Sequence, residues 1–148
     1  MKQTLALAAD HRGFVLKQKL ASFLKAKRIG VIDCGTNSAQ SCDYPDYVLK
    51  AAEAVRRKRA DGAIAVCHSG IGSAIAANKV KGVRAALVQN VEQAKLSRAH
   101  NDSNMLVLGS GFVKTALAKK IIRVWLKTKF EGGRHARRLN KIARYEKG

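Results

Sequence analysis

The stretch 61-DGAIAVCHSGIGSAIAANK-79 decides how the chain is read. It begins with a short apolar run, 62-GAIAVC-67, nearly continuous as a strand covered on both faces should be. A helical pattern follows over 72–79. Between them stand a thiol, an imidazole and a hydroxyl, then two glycines, as 67-CHSGIG-72. Strand, glycine turn and helix in that order predict one unit of an α/β fold. The polar turn then lies at the carboxyl end of the strand, where loops of such sheets build sites.

The same alternation extends in both directions. Strand-like runs are 4-TLALAA-9, 31-VIDC-34, 83-VRAALV-88 and 104-NMLVLG-109. Helical patterns occupy 14–27, 46–59, 91–100 and 112–128, with a last basic one over 134–145. Over 14–27, Phe14, Leu16, Leu20, Phe23 and Leu24 share roughly one face, and the lysines are expected elsewhere. Five strands alternating with helices predict an αβα sandwich with a parallel sheet and right-handed crossovers. The chain has 148 residues, one proline and no linker or repeat, so residues 1–148 are expected to form a single domain.

Composition narrows the functional classes. No apolar run approaches the ~20 residues that a membrane helix needs. The N-terminal MKQTLALAAD runs directly into Asp10, His11 and Arg12, and reads as a first core strand rather than a signal peptide. Three cysteines without CxxC spacing make neither a disulfide framework nor a zinc site, and a reducing, cytoplasmic setting fits them. Cys34 and Cys42 have no evident partners. The chain carries 29 Lys and Arg against 10 Asp and Glu, a net +19, with 12 of the basic residues beyond position 113. Such a surface attracts anions, whether phosphorylated metabolites, nucleic acid or acidic lipid. Neither GxGxxG nor GxxxxGK[ST] occurs, which argues against a dinucleotide or P-loop nucleotide.

Four polar clusters carry chemistry, each with a structural alternative. Asp10-His11 follows the first strand and suits acid–base work or phosphate binding, or Asp10 caps the next helix. Cys67 ends the third strand beside the start of a helix, a position that favours thiolate, and the glycines let backbone amides approach an anion. Equally, Cys67 is a small buried hydrophobe and the glycines only turn the chain. The segment 97-SRAHNDSN-104 either delivers an imidazole to a site or closes a helix by local hydrogen bonds. In 131-EGGRHARR-138, Arg134 and Arg138 stand four apart, as a phosphate clamp or a solvated basic face.

Taken together, 8-AADHRGF-14, 32-IDCGT-36, 43-DYPDY-47, 67-CHSGIG-72, 75-IAANK-79, 83-VRAAL-87, 97-SRAHND-102, 108-LGS-110 and 131-EGGRH-135 resemble one family across nearly the whole chain. They resemble the B-type ribose-5-phosphate isomerases, in the sugar-phosphate isomerase family that includes galactose-6-phosphate isomerase subunits. The resemblance implies a Rossmann-like αβα sandwich with a five-stranded parallel sheet. It implies a homodimer, sometimes paired into a homotetramer, with active sites shared between subunits. It also implies aldose–ketose isomerisation of ribose 5-phosphate without metal or organic cofactor. By the same resemblance Cys67 would take the proton from carbon 2, and Ser69 would help hold the sugar. Gly70, Ile71, Gly72 and Ser73 would offer amides to the enediolate. Asp10 would bind sugar hydroxyls and assist proton traffic at the ring oxygen. His100 would assist ring opening from the neighbouring subunit, with Asn101 supporting the enediolate. His11, Arg134 and Arg138 would grip the phosphate.

Three positions depart from the family's pattern. His68 and Ser69 stand where glycine and threonine are usual, and Gly111 stands where an arginine often follows Gly-Ser. The serine keeps the hydroxyl. His68 would tune the Cys67 thiol, reshape the sugar pocket, or point away, and Lys114 is the nearest candidate to replace the missing charge at 111. Two rival readings stay open: an isomerase of a 6-phosphohexose such as allose or galactose 6-phosphate, and a basic nucleic-acid-binding protein. Against the second stand the few aromatics and the lack of a binding motif, so no specific nucleic-acid partner is expected.

Overall fold

The computed structural model describes residues 2–148. Five strands, β1 (Thr4–Ala9), β2 (Gly30–Asp33), β3 (Gly62–Cys67), β4 (Ala85–Leu87) and β5 (Met105–Gly109), alternate with α1 (Phe14–Ala26), α2 (Tyr44–Arg56), α3 (Ile71–Ala77), α4 (Val91–Ala99) and α5 (Thr115–Lys127). A last helix, α6 (Arg134–Lys147), closes the chain. All pairings are parallel, in the order β2-β1-β3-β5-β4.

Alternation along the strands sorts side chains onto two faces. Leu5, Leu7, Ala9, Ile64, Val66, Leu106 and Leu108 face one way, beneath Leu16, Leu20 and Leu24 of α1 and Ile121, Ile122 and Trp125 of α5. Ala6, Ala8, Ala63, Ala65, Met105 and Val107 face the other, beneath Val48, Ala51, Ala52 and Val55 of α2 and Ala77 of α3. The second face is built mostly of alanine, so its helices approach closely. Each fully buried leucine or isoleucine contributes roughly 1.5–3 kcal/mol. The helix α6 lies outside both layers and buries one side chain, His135.

Element bounds differ from the sequence reading where hydrogen bonding overrides apolar pattern. The edge strand β4 is three residues rather than 83–88, because Val83 closes a turn onto Val80 and the Arg84 amide goes to the Asn104 side chain. The helix α5 begins at Thr115, not 112, since the amides of Phe112 and Val113 turn back onto the Gly109 carbonyl. Conversely, α2 begins two residues early with Pro45 in its first turn, where a missing N–H costs nothing. The basic helix α6 runs on to Lys147. Not every lysine of α1 points outward: Lys17 is 1 % exposed and its Nζ lies 2.5 Å from Asp33 Oδ1 at the end of β2.

Candidate active site

At the carboxyl edge of the sheet, the loops after β1, β3 and β5 are tied together. The Asp10 amide donates to the Val66 carbonyl at 3.3 Å. The Ser110 amide donates to the Cys67 carbonyl at 2.8 Å, and the Ser110 hydroxyl to the Arg12 carbonyl at 2.9 Å. Gly13 has to be glycine, because a Cβ there would lie 2.2 Å from the Val66 carbonyl oxygen. Asp10, His11 and Cys67 therefore belong to one rigid rim.

Within this rim several of the structural alternatives are realised. Asp10 is buried, and its Oδ1 accepts from the amides of Arg12 at 2.9 Å and Gly13 at 3.0 Å. It thus fixes the turn that leads into α1, while its Oδ2 takes no part in that turn. His11 is steered by a residue the sequence reading left without a role: the Cys42 amide donates to His11 Nδ1 at 3.2 Å. That contact uses Nδ1 as acceptor and leaves Nε2 without a hydrogen-bond partner among the described residues. Cys34 is a free, half-buried thiol, and burial, followed by the neighbouring Asp33 carboxylate, pushes it up from its usual range.

Cys67 is buried at the last position of β3, and the Gly70 amide donates to its Sγ at 3.2 Å. The sulfur is thus held as an acceptor at the start of the turn. Gly70 adopts φ 81°, and a Cβ there would also strike Leu87 Cδ1 at 2.4 Å. The Ser69 hydroxyl accepts from the Ile71 amide at 3.2 Å. The next two amides, of Gly72 and Ser73, have no acceptor among the described residues and belong to the open first turn of α3. Tyr44, from the segment 43-DYPDY-47, lies across Gly72 so closely that a Cβ there would be 2.5 Å from its Cζ. The Ser73 side chain is fully buried, with its hydroxyl unpaired.

His68 and Gly111 are one packing unit. A Cβ on Gly111 would meet His68 Cε1 at 2.5 Å and Nδ1 at 2.9 Å, so the imidazole lies across the glycine. The Gly111 amide also donates to the His68 carbonyl at 2.9 Å. No hydrogen bond joins His68 to Cys67 among the described residues, so the ring does not act on the thiol by that route. Lys114 lines a surface hollow with Arg12, Lys19 and Ser110. Positive charge therefore remains beside position 111.

The other candidates lie elsewhere. The helix α4 runs antiparallel to the strands, from Asn90 at the carboxyl edge to His100 at the amino edge. His100 and Asn101 thus precede β5, whose five residues span about 16 Å and end opposite Cys67. Arg98 and Arg84 hold Asp102 from two sides at 3.1 and 3.2 Å, fixing this loop. The Glu131 amide donates to the Ala99 carbonyl at 3.0 Å and brings the start of α6 alongside. The His100 and His135 rings stack, with centroids 4.2 Å apart. Arg134 and Arg138 are exposed, and neither forms an ion pair among the described residues. One chain therefore places its candidate residues in two groups at opposite edges of its sheet. Asp10, His11 and the Cys67–Ser73 loop form one, and His100, Asn101, Arg134 and Arg138 form the other.

A rim with a thiol, a carboxylate and open helix amides, set on a five-stranded parallel sheet, defines the class: an α/β protein with its candidate chemistry at the carboxyl edge of the sheet. The family model for Ribose/Galactose Isomerase matches residues 5–142. Over 142 residues the chain is 43% identical to ribose-5-phosphate isomerase B of Escherichia coli strain K12, covering 96% of this chain and 95% of that protein. Its fold superposes on the Clostridium thermocellum ribose-5-phosphate isomerase B with a TM-score of 0.97 at 48% identity, covering 98% of each chain. It superposes on the Mycoplasma genitalium ribose-5-phosphate isomerase B with bound ribulose-5-phosphate at a TM-score of 0.95 and 44% identity, covering 99% and 98%. The chain belongs to the ribose/galactose isomerase family.

Proposed function

We propose that this protein interconverts ribose 5-phosphate and ribulose 5-phosphate through an enediolate, with Cys67 as the base at carbon 2. The observation that carries the reading is the arrangement around α3. One amide points at the Cys67 sulfur, and the two unpaired amides of Gly72 and Ser73 stand just beyond it. Removing a proton alpha to a carbonyl requires a placed base and preorganised donors for the developing oxyanion. Both are present within seven residues of sequence. A relative of 44% identity with ribulose-5-phosphate bound supports the choice of substrate.

In this mechanism the phosphate is held by His11, Arg134 and Arg138, and its binding energy orients the distant carbons. Asp10 and His100 share the proton movements of ring opening. Cys67 then takes the carbon-2 proton, the free amides of Gly72 and Ser73 together with Asn101 hold the enediolate, the carbon-2 hydroxyl proton passes to the carbon-1 oxygen, and the proton on Cys67 returns at carbon 1. Ser69 lies where its hydroxyl reaches the sugar.

The separation of the two groups supports a homodimer in which His100, Asn101 and the two arginines serve the partner's Cys67. Ile71 and Ile75, one turn apart on α3 beside the loop, are each 58% exposed, as a surface covered by a second copy would be. A cytoplasmic setting suits a working thiol, and Cys34, Cys42 and Cys67 are all free. No described helix is long and apolar enough to cross a membrane.

Turnover assays run in parallel on ribose 5-phosphate and on allose and galactose 6-phosphates test the substrate. Preference for the pentose is expected. A 6-phosphohexose turned over more efficiently would overturn the reading.

A further inference from the structure

His100, Glu131 and His135 bring their polar side-chain atoms within 4.8 Å of one another at the amino edge of the sheet. The two imidazoles are nearly parallel, 12° apart. Their nitrogen lone pairs consequently lie in parallel planes and do not converge on a point, so the geometry does not favour a shared metal ion. Something else holds the trio together. The His135 ring is 5% exposed, wedged where α6 meets the end of α4, and its Nε2 is buried without a hydrogen bond. Glu131 Oε2 lies 3.6 Å from that nitrogen and 4.0 Å from His100 Nε2. One carboxylate thus serves both rings. The Glu131–Ala99 backbone bond sets its position from the helix that ends in His100.

We propose that His135 and Glu131 are positioning residues for ring opening, the buried imidazole serving as the platform that fixes the plane of His100 and the carboxylate as the counter-charge for the proton His100 delivers. The proposal rests on the reading of His100 given above. Two stacked imidazoles carry at most one proton comfortably, since a second would face it at 4.2 Å. Burial lowers the proton affinity of His135, and the neighbouring His100, Arg134 and Arg138 act in the same sense, opposed by Glu131. His100 is the more exposed ring, at 37%. In ring opening the bond between carbon 1 and the ring oxygen breaks. His100 gives its proton to that oxygen, and the anomeric hydroxyl passes its own to the Asp10 carboxylate. The electron pair of the broken bond stays on the ring oxygen, and the carbonyl forms at carbon 1. Fixing the imidazole plane matters because a misaimed donor loses most of its general-acid advantage.

The test separates ring opening from enediolate chemistry. Ribulose 5-phosphate is acyclic, so solvent exchange of its carbon-1 proton needs Cys67 but no ring opening. His135→Ala is expected to lower isomerisation of ribose 5-phosphate by about tenfold or more while exchange stays within about twofold. His135→Phe, which restores a flat ring, is expected to recover most of the isomerisation. Glu131→Gln changes an exposed side chain and is expected to show the same split if His135→Ala does not fold. Parallel loss of both reactions, or loss of neither, overturns the proposal. His100→Asn serves as the reference: if it leaves isomerisation intact, the underlying role of His100 falls. If it abolishes isomerisation while the 131 and 135 variants are silent, the platform alone falls.

Discussion

Truncating the sulfur at position 67 removes the proposed base without disturbing the Gly70 turn, because Gly70 is held by its own backbone conformation and its contact with Leu87. Cys67→Ala is therefore expected to lower proton exchange at carbon 2 by about 10²–10⁴-fold with little change in melting temperature. Full activity in that variant would exclude Cys67 as base. At the neighbouring residue, the imidazole of His68 occupies the space that a side chain at 111 would need. Gly111→Arg alone should destabilise the protein, and in the His68→Gly background it should be tolerated. Urea denaturation of the four proteins should give a coupling of about 1–3 kcal/mol; purely additive effects would contradict the packing. His135 makes a third residue-scale prediction. Burial lowers its affinity for protons from the usual value of 6.5, so the unfolded chain takes up a proton before the folded one does. Its contribution is then fully present above that value and is lost as pH falls through the lowered folded one. Urea midpoints measured downward from about pH 7 should fall in the native protein, and less so in His135→Phe.

Among the elements, α1 shows where periodicity stops short. The pattern over 14–27 places the leucines correctly, and it would place Lys17 with the solvent-facing lysines. In the folded chain its stem is buried and its ammonium meets Asp33, an acid that lies beyond the turn closing α1. Asp33 remains 39% exposed, which weakens the pair relative to a fully buried one, so Lys17→Ala should cost about 1–3 kcal/mol, stem packing included. Denaturation would check this, and an effect near zero would show that the ammonium finds water instead. The remaining boundary differences have one cause. Apolar pattern marks which residues are covered, whereas the ends of β4 and α5 are set by the amides of Arg84, Phe112 and Val113 finding acceptors outside the element.

For the whole molecule the decisive matter is the division of the site. If each centre combines Cys67 of one copy with His100 of the other, two inactive variants should complement. Mixing Cys67→Ala with His100→Asn under conditions that exchange subunits should restore up to about a quarter of native activity, as half the dimers are mixed and each has one intact centre. No recovery would place both residues in one chain's site. The net charge of +19 acts at this scale too. It suits attraction of sugar phosphates, and any retention of nucleic acid should disappear near physiological salt.

What the sequence determined by itself was the alternation of elements, the two-sided core and the clustering of chemistry at the carboxyl end of β3. Each follows from local patterns: apolar runs of strand length, amphipathic helices between them, and a glycine turn that only a few conformations satisfy. The placement of Cys67 and its turn was also legible, because strand end, thiol, glycines and helix start are contiguous, whereas the roles proposed for them came from the family resemblance. Tertiary structure alone decided the rest. It set His68 upon Gly111, Cys42 against His11, Tyr44 across Gly72, and His135 beneath His100. These partners lie between 28 and 43 residues apart in the chain. No local periodicity records such contacts, since they arise only when separate loops are brought to the same edge of one sheet.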